Sequence, residues 1–171
     1  MESRPPVKIL RLSPFRQTSL ERCGPACLRM LVGFYGVEKT EATLARVCRT
    51  NRKFGTSIEN LVRAVKQLGF AVEQKDGATL LDLENYVRQK KRPVIVEWFS
   101  IDDGHYSVVV GIDKANIILL DPEIGQCRKI AREKFLRLWF GFRGDFIKDD
   151  KRNLSTRRMI VIYPKNPFVG R

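Results

Sequence analysis

His105–Asp121 reads HYSVVVGIDKANIILLD, two β-branched apolar runs separated by a short polar break at Asp113 to Ala115. That break leaves room only for a tight turn, so the segment predicts an antiparallel hairpin. Folded symmetrically about Asp113, the midpoint of positions 105 and 121, the hairpin sets His105 opposite Asp121. Directly cross-strand residues share a face, so a base and an acid able to orient it follow from local geometry. A slip of one residue in register would separate them.

Outward from the hairpin the same character continues for a while. PVIVEWF, Pro93 to Phe99, is β-branched and apolar and reads as a largely buried strand, and MIVIYP near the end reads as another. Arg132 to Trp139 predicts a short helix, and Asp149 to Thr156 a polar loop. Upstream the period changes to that of helices. Gly24 to Tyr35 is one, ended by Gly36; Glu41 to Arg49 is a second. Ser57 to Leu68 is a third, capped by Thr56 or Ser57 and stopped by Gly69. Phe70 to Gln74 is a short strand, and Leu80 to Lys90 is a fourth helix ending before Pro93. Helices first and antiparallel strands second is an α+β arrangement, an N-terminal helical layer packed on a C-terminal antiparallel sheet.

At 171 residues, with 43% apolar and 30% charged residues, the chain suits one domain able to bury a substantial core. We divide it into an N-terminal extension (1–13), a main domain (14–148), and a polar loop with a C-terminal strand (149–171) belonging to that domain. The N-terminus MESRPPVKILRLSPFRQ has no apolar run of signal-peptide length, and no later segment predicts a membrane span. The expectation is a cytoplasmic protein with Cys23, Cys27, Cys48 and Cys127 reduced. The net charge of +13 permits attraction to nucleic acid, anionic membranes or acidic peptides without choosing among them. The basic residues are scattered and no nucleic-acid-binding motif accompanies them, so a generally basic solvated surface is the plain reading.

LERCGPACLRML, Leu20 to Leu31, places a cysteine where a helix begins. There a thiol meets unsatisfied backbone N–H groups and the positive end of the helix dipole, which favours the nucleophilic thiolate. Pro25 is tolerated in the first turn, and Gly24 leaves space for a substrate carbonyl. On its own, Cys23 reads better as a buried structural thiol, since cysteine is among the most buried residue types. His105, the only histidine, supplies a base, and Asp121 its orienting acid. Gln17, six residues before Cys23 in an extended segment, offers an amide to an oxyanion beside the Cys23 N–H. Zinc would need more clustered ligands than Cys23, Cys27 and one histidine provide, so no metal or cofactor is expected.

QTSLERCGPACLRML, FGTSIENLVRAVKQLGF, GHYSVVVGI and LLDPEIG, in that order and spacing, resemble the bacteriocin-processing peptidases. These are papain-like cysteine peptidases, best known as cytoplasmic N-terminal domains of peptide-exporting ABC transporters, which cleave after a double glycine ending a leader peptide. The resemblance runs from about Pro14 to the mid-140s. It implies Cys23 as nucleophile, His105 as general base, Asp121 as its orienting residue and Gln17 as oxyanion-hole donor. It implies a peptide or protein substrate, possible peptide-export machinery as partner, and a papain-like fold. FGTSIENL reads as scaffold and helix cap. Two departures stand out: Arg22 occupies a position commonly filled by Asp, and after Arg143 the chain turns basic and adds one strand, as a stand-alone member without a transporter domain would. Relatives of this fold lacking the cysteine or histidine are binding modules, so a non-catalytic peptide- or nucleic-acid-binding domain is the alternative.

Overall fold

A computed structural model describes residues 8–101, 103–144, 146–148 and 152–166; of the two terminal stretches set apart above, residues 1–7, 149–151 and 167–171 lie outside the described residues. Helix α1 (Cys23–Phe34) follows a 3-10 turn at Leu20–Arg22, and α2 (Glu41–Val47) and α3 (Ile58–Gln67) follow it. Their boundaries are chemical. Thr40 caps α2 by accepting from Thr43 N, and Ser57 caps α3 by accepting from Asn60 N. Gly36 and Gly69, at φ +80° and +86°, take the left-handed conformation that turns the chain out of α1 and α3.

The strands are β1 (Phe70–Lys75), β2 (Val94–Ser100), β3 (Asp103–Ile112), β4 (Asn116–Asp121), β5 (Gln126–Ala131) and β8 (Met159–Pro164), forming one antiparallel sheet in the order β1-β8-β2-β3-β4-β5. The C-terminal strand therefore lies inside the sheet, hydrogen-bonded to β1 on one side and β2 on the other. Between β1 and β2 run α4 (Leu80–Glu84) and a π turn at Asn85–Gln89, where a single helix to Lys90 was expected. Helix α5 (Arg132–Leu138) leads into β6 (Phe140–Phe142), which pairs with β7 (Leu154–Thr156) as a small separate ribbon.

Both faces of the sheet are covered, which is why its strands read as nearly continuous apolar runs. Leu28, Leu31, Leu44, Leu61 and Val65 of the first three helices pack with Ile95, Val108, Leu120 and Ile160 on one face. Leu83, Val87, Phe135 and Trp139 pack with Val94, Val96, Leu119 and Val161 on the other. The helical layer of the sequence reading is thus α1–α3 alone; α4 and α5 close the opposite face. The segment before α1 also joins the core: Leu10 N donates to Val110 O at 2.8 Å, and Leu12 is buried.

Candidate active site

The β3–β4 hairpin forms as expected, but its register is not symmetric about Asp113. Ile112 faces Ile117 and Gly111 faces Ile118; beyond a bulge at Val110, Val109 faces Leu119 and Val108 faces Leu120. Asp113 Oδ1 accepts from Ala115 N and Asn116 N, both at 2.7 Å, which moves the turn's centre past Asp113. Continued one step, the register sets Asp121 beside Ser107, so Asp121 is diagonal to His105 and not directly opposite it. The bulge decides the outcome. Without it the register near the turn would carry through, placing Asp121 beside Val108 and on the face away from His105, because side chains alternate with period two.

With the bulge in place the two side chains meet. His105 Nε2 lies 2.7 Å from Asp121 Oδ1, and that oxygen also accepts from Glu123 N at 3.0 Å. Arg128 Nε stands 3.1 Å from the second carboxylate oxygen, a contact of charge without an aligned hydrogen bond. His105 is 8% exposed and Asp121 fully buried. Burial pulls the His105 pKa down, but hydrogen bonds to Asp121 and Cys23, and the charges of both, outweigh it and raise it to about 10. Burial likewise raises Asp121, while the His105 bond and charge, Glu123 N and Arg128 bring it below the ordinary carboxylate range. Trp98, the β2 partner of His105, sets its indole edge-on to the imidazole, 6.0 Å between centroids, with Nε1 donating to Ser107 Oγ at 3.0 Å.

Since Asp121 takes Nε2, Nδ1 is the ring nitrogen left for the Cys23 thiol, which lies close enough to help raise the imidazole pKa. Cys23 is the first residue of α1, but the chain already turns from Leu20, so it sits at the junction of two helical segments and not at a free helix start. Cys27, one turn later, is fully buried, and its Sγ–H donates to Tyr106 O at 3.3 Å. That bond holds α1 against β3 and sets Cys23 level with His105. Burial pushes the Cys27 thiol well up and Cys48 to about 12, so both stay protonated and inert. All four cysteines are free. Gly24 has a different task from the one expected: a Cβ there would lie 3.1 Å from Thr56 Cβ, so glycine lets the α2–α3 loop pack on the start of α1. Thr56 Oγ1 in turn pairs with Thr50 Oγ1 at 2.8 Å, and FGTS serves as scaffold and cap.

Gln17 lies nearby but is not aimed at the thiol. Its backbone N–H donates to Pro122 O at 2.8 Å, next to Asp121, while Nε2 donates to Ser19 O and Leu20 O, both at 3.0 Å. Both amide protons thus clamp the 3-10 turn that leads into Cys23. Glu41, at the start of α2, is 4% exposed, a residue that looks in the sequence like an ordinary helix-start acid. Its carboxylate accepts from Thr18 N and Arg22, each at 3.1 Å, and from Thr18 Oγ1. It therefore ties the neighbours of both Gln17 and Cys23 to one anchor, and Arg22 is accounted for as its counter-ion.

Ligand atoms of His105, Asp121 and Glu123 lie within 4.8 Å of one another. A cation there would have to displace Arg128, which is 3.7 Å from Glu123 as well as against Asp121, and break the histidine–aspartate bond. The donor set suits proton handling, not metal binding. Beside Cys23 opens a cleft of about 720 Å³ between the α2–α3 loop and the β6–β7 ribbon, with Glu97 and Tyr106 also lining it. Glu97 is held by Ser155 Oγ at 2.7 Å and Arg158 at 3.1 Å, and a Cβ at Gly141 would stand 2.6 Å from its carboxyl carbon.

Residues 11–143 match the Peptidase C39 family. The transport/processing ATP-binding protein ComA of Streptococcus pneumoniae is 34% identical over 121 residues, covering 70% of this chain and 16% of ComA, so the chain spans a small part of that relative. An uncharacterised protein of Methanothermobacter marburgensis is 32% identical over 126 residues, 74% of this chain and 82% of that one. Among solved structures, the peptidase domain of Streptococcus ComA superposes with a TM-score of 0.70 at 23% identity, covering 91% of this chain and 99% of that domain. A double glycine motif protease from an AMS/PCAT transporter, in complex with its leader peptide, gives 0.66 at 19% identity over 92% and 94%. The fold is that of these papain-like peptidase domains. No helix among the described residues is long and apolar enough to cross a membrane.

Proposed function

We infer the reaction from a premise now in hand: the chain belongs to the peptidase C39 family and is a cysteine peptidase. The reading we propose is cleavage of a leader peptide after a double glycine, with Cys23 as nucleophile, His105 as base and Asp121 as its orienting acid. The observation that carries it is the buried His105–Asp121 pair, 2.7 Å apart, with the Cys23 thiol near enough to act on the imidazole.

His105 takes the Cys23 proton through Nδ1, forming a thiolate–imidazolium pair whose cation Asp121 and burial beside Trp98 hold in place. The sulfur attacks the scissile carbonyl carbon, and the oxyanion is met by the Cys23 N–H. Gln17 joins it by turning its amide off the Ser19 and Leu20 carbonyls onto the new negative charge. His105 then protonates the departing amine, and a water molecule deprotonated by His105 hydrolyses the thioester to release the leader acid and free Cys23. The double-glycine preference rests on the fold shared with a double glycine motif protease solved with its leader peptide. The partners on this reading are a precursor peptide and the peptide-export machinery that carries it.

The test is incubation with peptides joining a leader to a short cargo through Gly-Gly, Gly-Ala or Ala-Ala, read by mass spectrometry. Cleavage after Gly-Gly alone, abolished in Cys23→Ala, is expected. Cleavage that persists in Cys23→Ala would overturn the assignment of the nucleophile, and equal cleavage of Ala-Ala would overturn the specificity.

A further inference from the structure

We propose that the cleft beside Cys23 is a binding site for acidic side chains of the peptide substrate, an inference that rests on the peptidase reading and adds to it a preference in charge. The chain's net charge of +13 carries no address, but the cleft gives part of it one. Of the cations lining it, Arg158 is taken up by Asp76 and Glu97, and Arg143 by Glu59. Arg49, Arg52 and Lys53 on the α2–α3 loop, and Lys148 on the side of the β6–β7 ribbon, are exposed and form no salt bridge within 4.0 Å among the described residues, although the charge of Arg52 reaches Glu21 and helps lower its pKa. Among the described residues, the acids in the lining do not balance them. Glu97 is consumed by Arg158 and Ser155, which leaves Glu21 and Asp103, and Asp103 spends one oxygen on Gly104 N.

The loop that presents these cations is built, not slack. Asn51 and Gly55 exchange backbone hydrogen bonds at 2.8 and 2.9 Å, Asn51 Oδ1 accepts from Lys53 N and Phe54 N, and Gly55 at φ +67° closes the turn. Immediately after it, Thr56 packs on Gly24, so the cationic loop is fixed relative to the nucleophile. A like-charged cleft with low-dielectric walls concentrates field and draws in the opposite charge. Because Cys23 lines the same cleft, the occupant is the peptide being cut, and its acidic residues lie within a few positions of the scissile bond.

The experiment uses one leader–cargo sequence with Glu, Gln or Lys at the same positions on either side of the cleavage point. Binding to Cys23→Ala is followed by fluorescence anisotropy, and cleavage by the wild type through kcat/KM. The expected preference for the Glu over the Lys peptide is about tenfold in both readouts at about 20 mM salt and shrinks toward parity at about 500 mM. The double variant Arg52→Glu/Lys53→Glu should cancel or invert that ratio, and Lys148→Glu, an exposed change on the opposite side, should reduce it. Glu and Lys peptides bound within about twofold of each other at low salt would overturn the proposal whether or not cleavage occurs. Preferential binding of the Glu peptide without cleavage of any peptide would support the charge site and overturn the peptidase reading. Displacement of the Glu peptide by a short oligonucleotide at lower concentration than unlabelled peptide would overturn it in favour of a nucleic-acid site.

Discussion

Asp121 is diagonal to His105 across the β3–β4 ladder, yet its Oδ1 lies 2.7 Å from His105 Nε2 because a single bulge at Val110 returns the two residues to one face. The geometry and the charge of the site depend on that one extra residue. It makes a pair that is only useful if both members sit on the same side of the strand.

The His105–Asp121 pair fixes a pH dependence. The His105 pKa is raised from its ordinary value of 6.5 to about 10, so the imidazolium persists well into the alkaline range. A raised histidine pKa gives a stability contribution that is full below about pH 6.5 and is lost as pH rises through about 10. The alkaline limb of kcat/KM should accordingly fall near pH 10. Asp121→Asn, which keeps a hydrogen-bonding oxygen and loses the charge, should move that limb toward neutrality and lower kcat by about 10- to 1000-fold, a milder loss than Cys23→Ala. An unmoved limb in Asp121→Asn would show that the carboxylate only terminates a strand.

Thiol chemistry separates the cysteines. Cys27 and Cys48 are fully buried with raised pKa values, and Cys127 is exposed on β5. A sub-stoichiometric thiol-directed electrophile should label Cys23 first, Cys127 more slowly, and Cys27 and Cys48 only after unfolding. Prior alkylation of Cys127 should leave activity intact. Peptide mapping that finds Cys127 labelled ahead of Cys23 would argue against a pairing of Cys23 with His105 in solution.

Much of this arrangement is legible in the residues, and the reasons for the exceptions are physical. Thr40, Ser57, Gly36 and Gly69 mark helix ends by chemistry that acts locally, and the apolar strands announce themselves because both sheet faces are buried. β5 is silent because Ile130 is its only buried residue, and β6 and β7 have three residues each. The bulge cannot be read because Val108, Val109 and Val110 are chemically identical, so nothing local says which of them is extra. Residues 105 and 121 were legible as a pair for a partly mistaken reason. An expected offset of zero and an observed offset of two preserve the same parity, and parity is what places a side chain on a face. Arg128, Trp98 and Glu41 carry no signal, since their partners come from distant segments of the chain.

Glu41 makes a second kind of prediction. Its carboxylate is buried among Thr18 N, Thr18 Oγ1 and Arg22, on either side of which stand Gln17 and Cys23. Glu41→Ala leaves Thr18 N without its acceptor and should cost about 1–3 kcal/mol, lowering the melting temperature by roughly 2–4 °C for each kcal/mol. Arg22, with its side chain about one-third exposed, can be solvated once released. Glu41→Gln keeps an acceptor and should recover most of the stability but not all of the rate, because the pull on Arg22 is lost. Full kcat in Glu41→Ala at a temperature where it is folded would show that the anchor serves stability alone.

Gly125 tests whether the Gln17 segment must dock closely for catalysis. The residue closes the β4–β5 turn at φ +67°, and a Cβ there would lie 2.7 Å from Arg16 Cβ and 3.2 Å from its backbone nitrogen. Only glycine lets the segment carrying Gln17 lie that near the turn after Asp121, where Gln17 N reaches Pro122 O. Gly125→Ala adds both a left-handed strain and a steric contact, so the segment must shift or the turn must open, at a cost of about 1–3 kcal/mol. If Gln17 supplies an oxyanion donor, that shift lowers kcat by about tenfold or more while KM changes little, because the donor acts on charge that develops only in the transition state. Gln17→Ala should show the same split, and the double variant should lose little more than either single one, since both remove one interaction. Comparing all three by kcat and KM, below the melting temperature of the least stable, decides the point. Additive losses, or a rise in KM with kcat preserved, would place the Gln17 segment in substrate binding and leave the Cys23 N–H as the donor that meets the oxyanion.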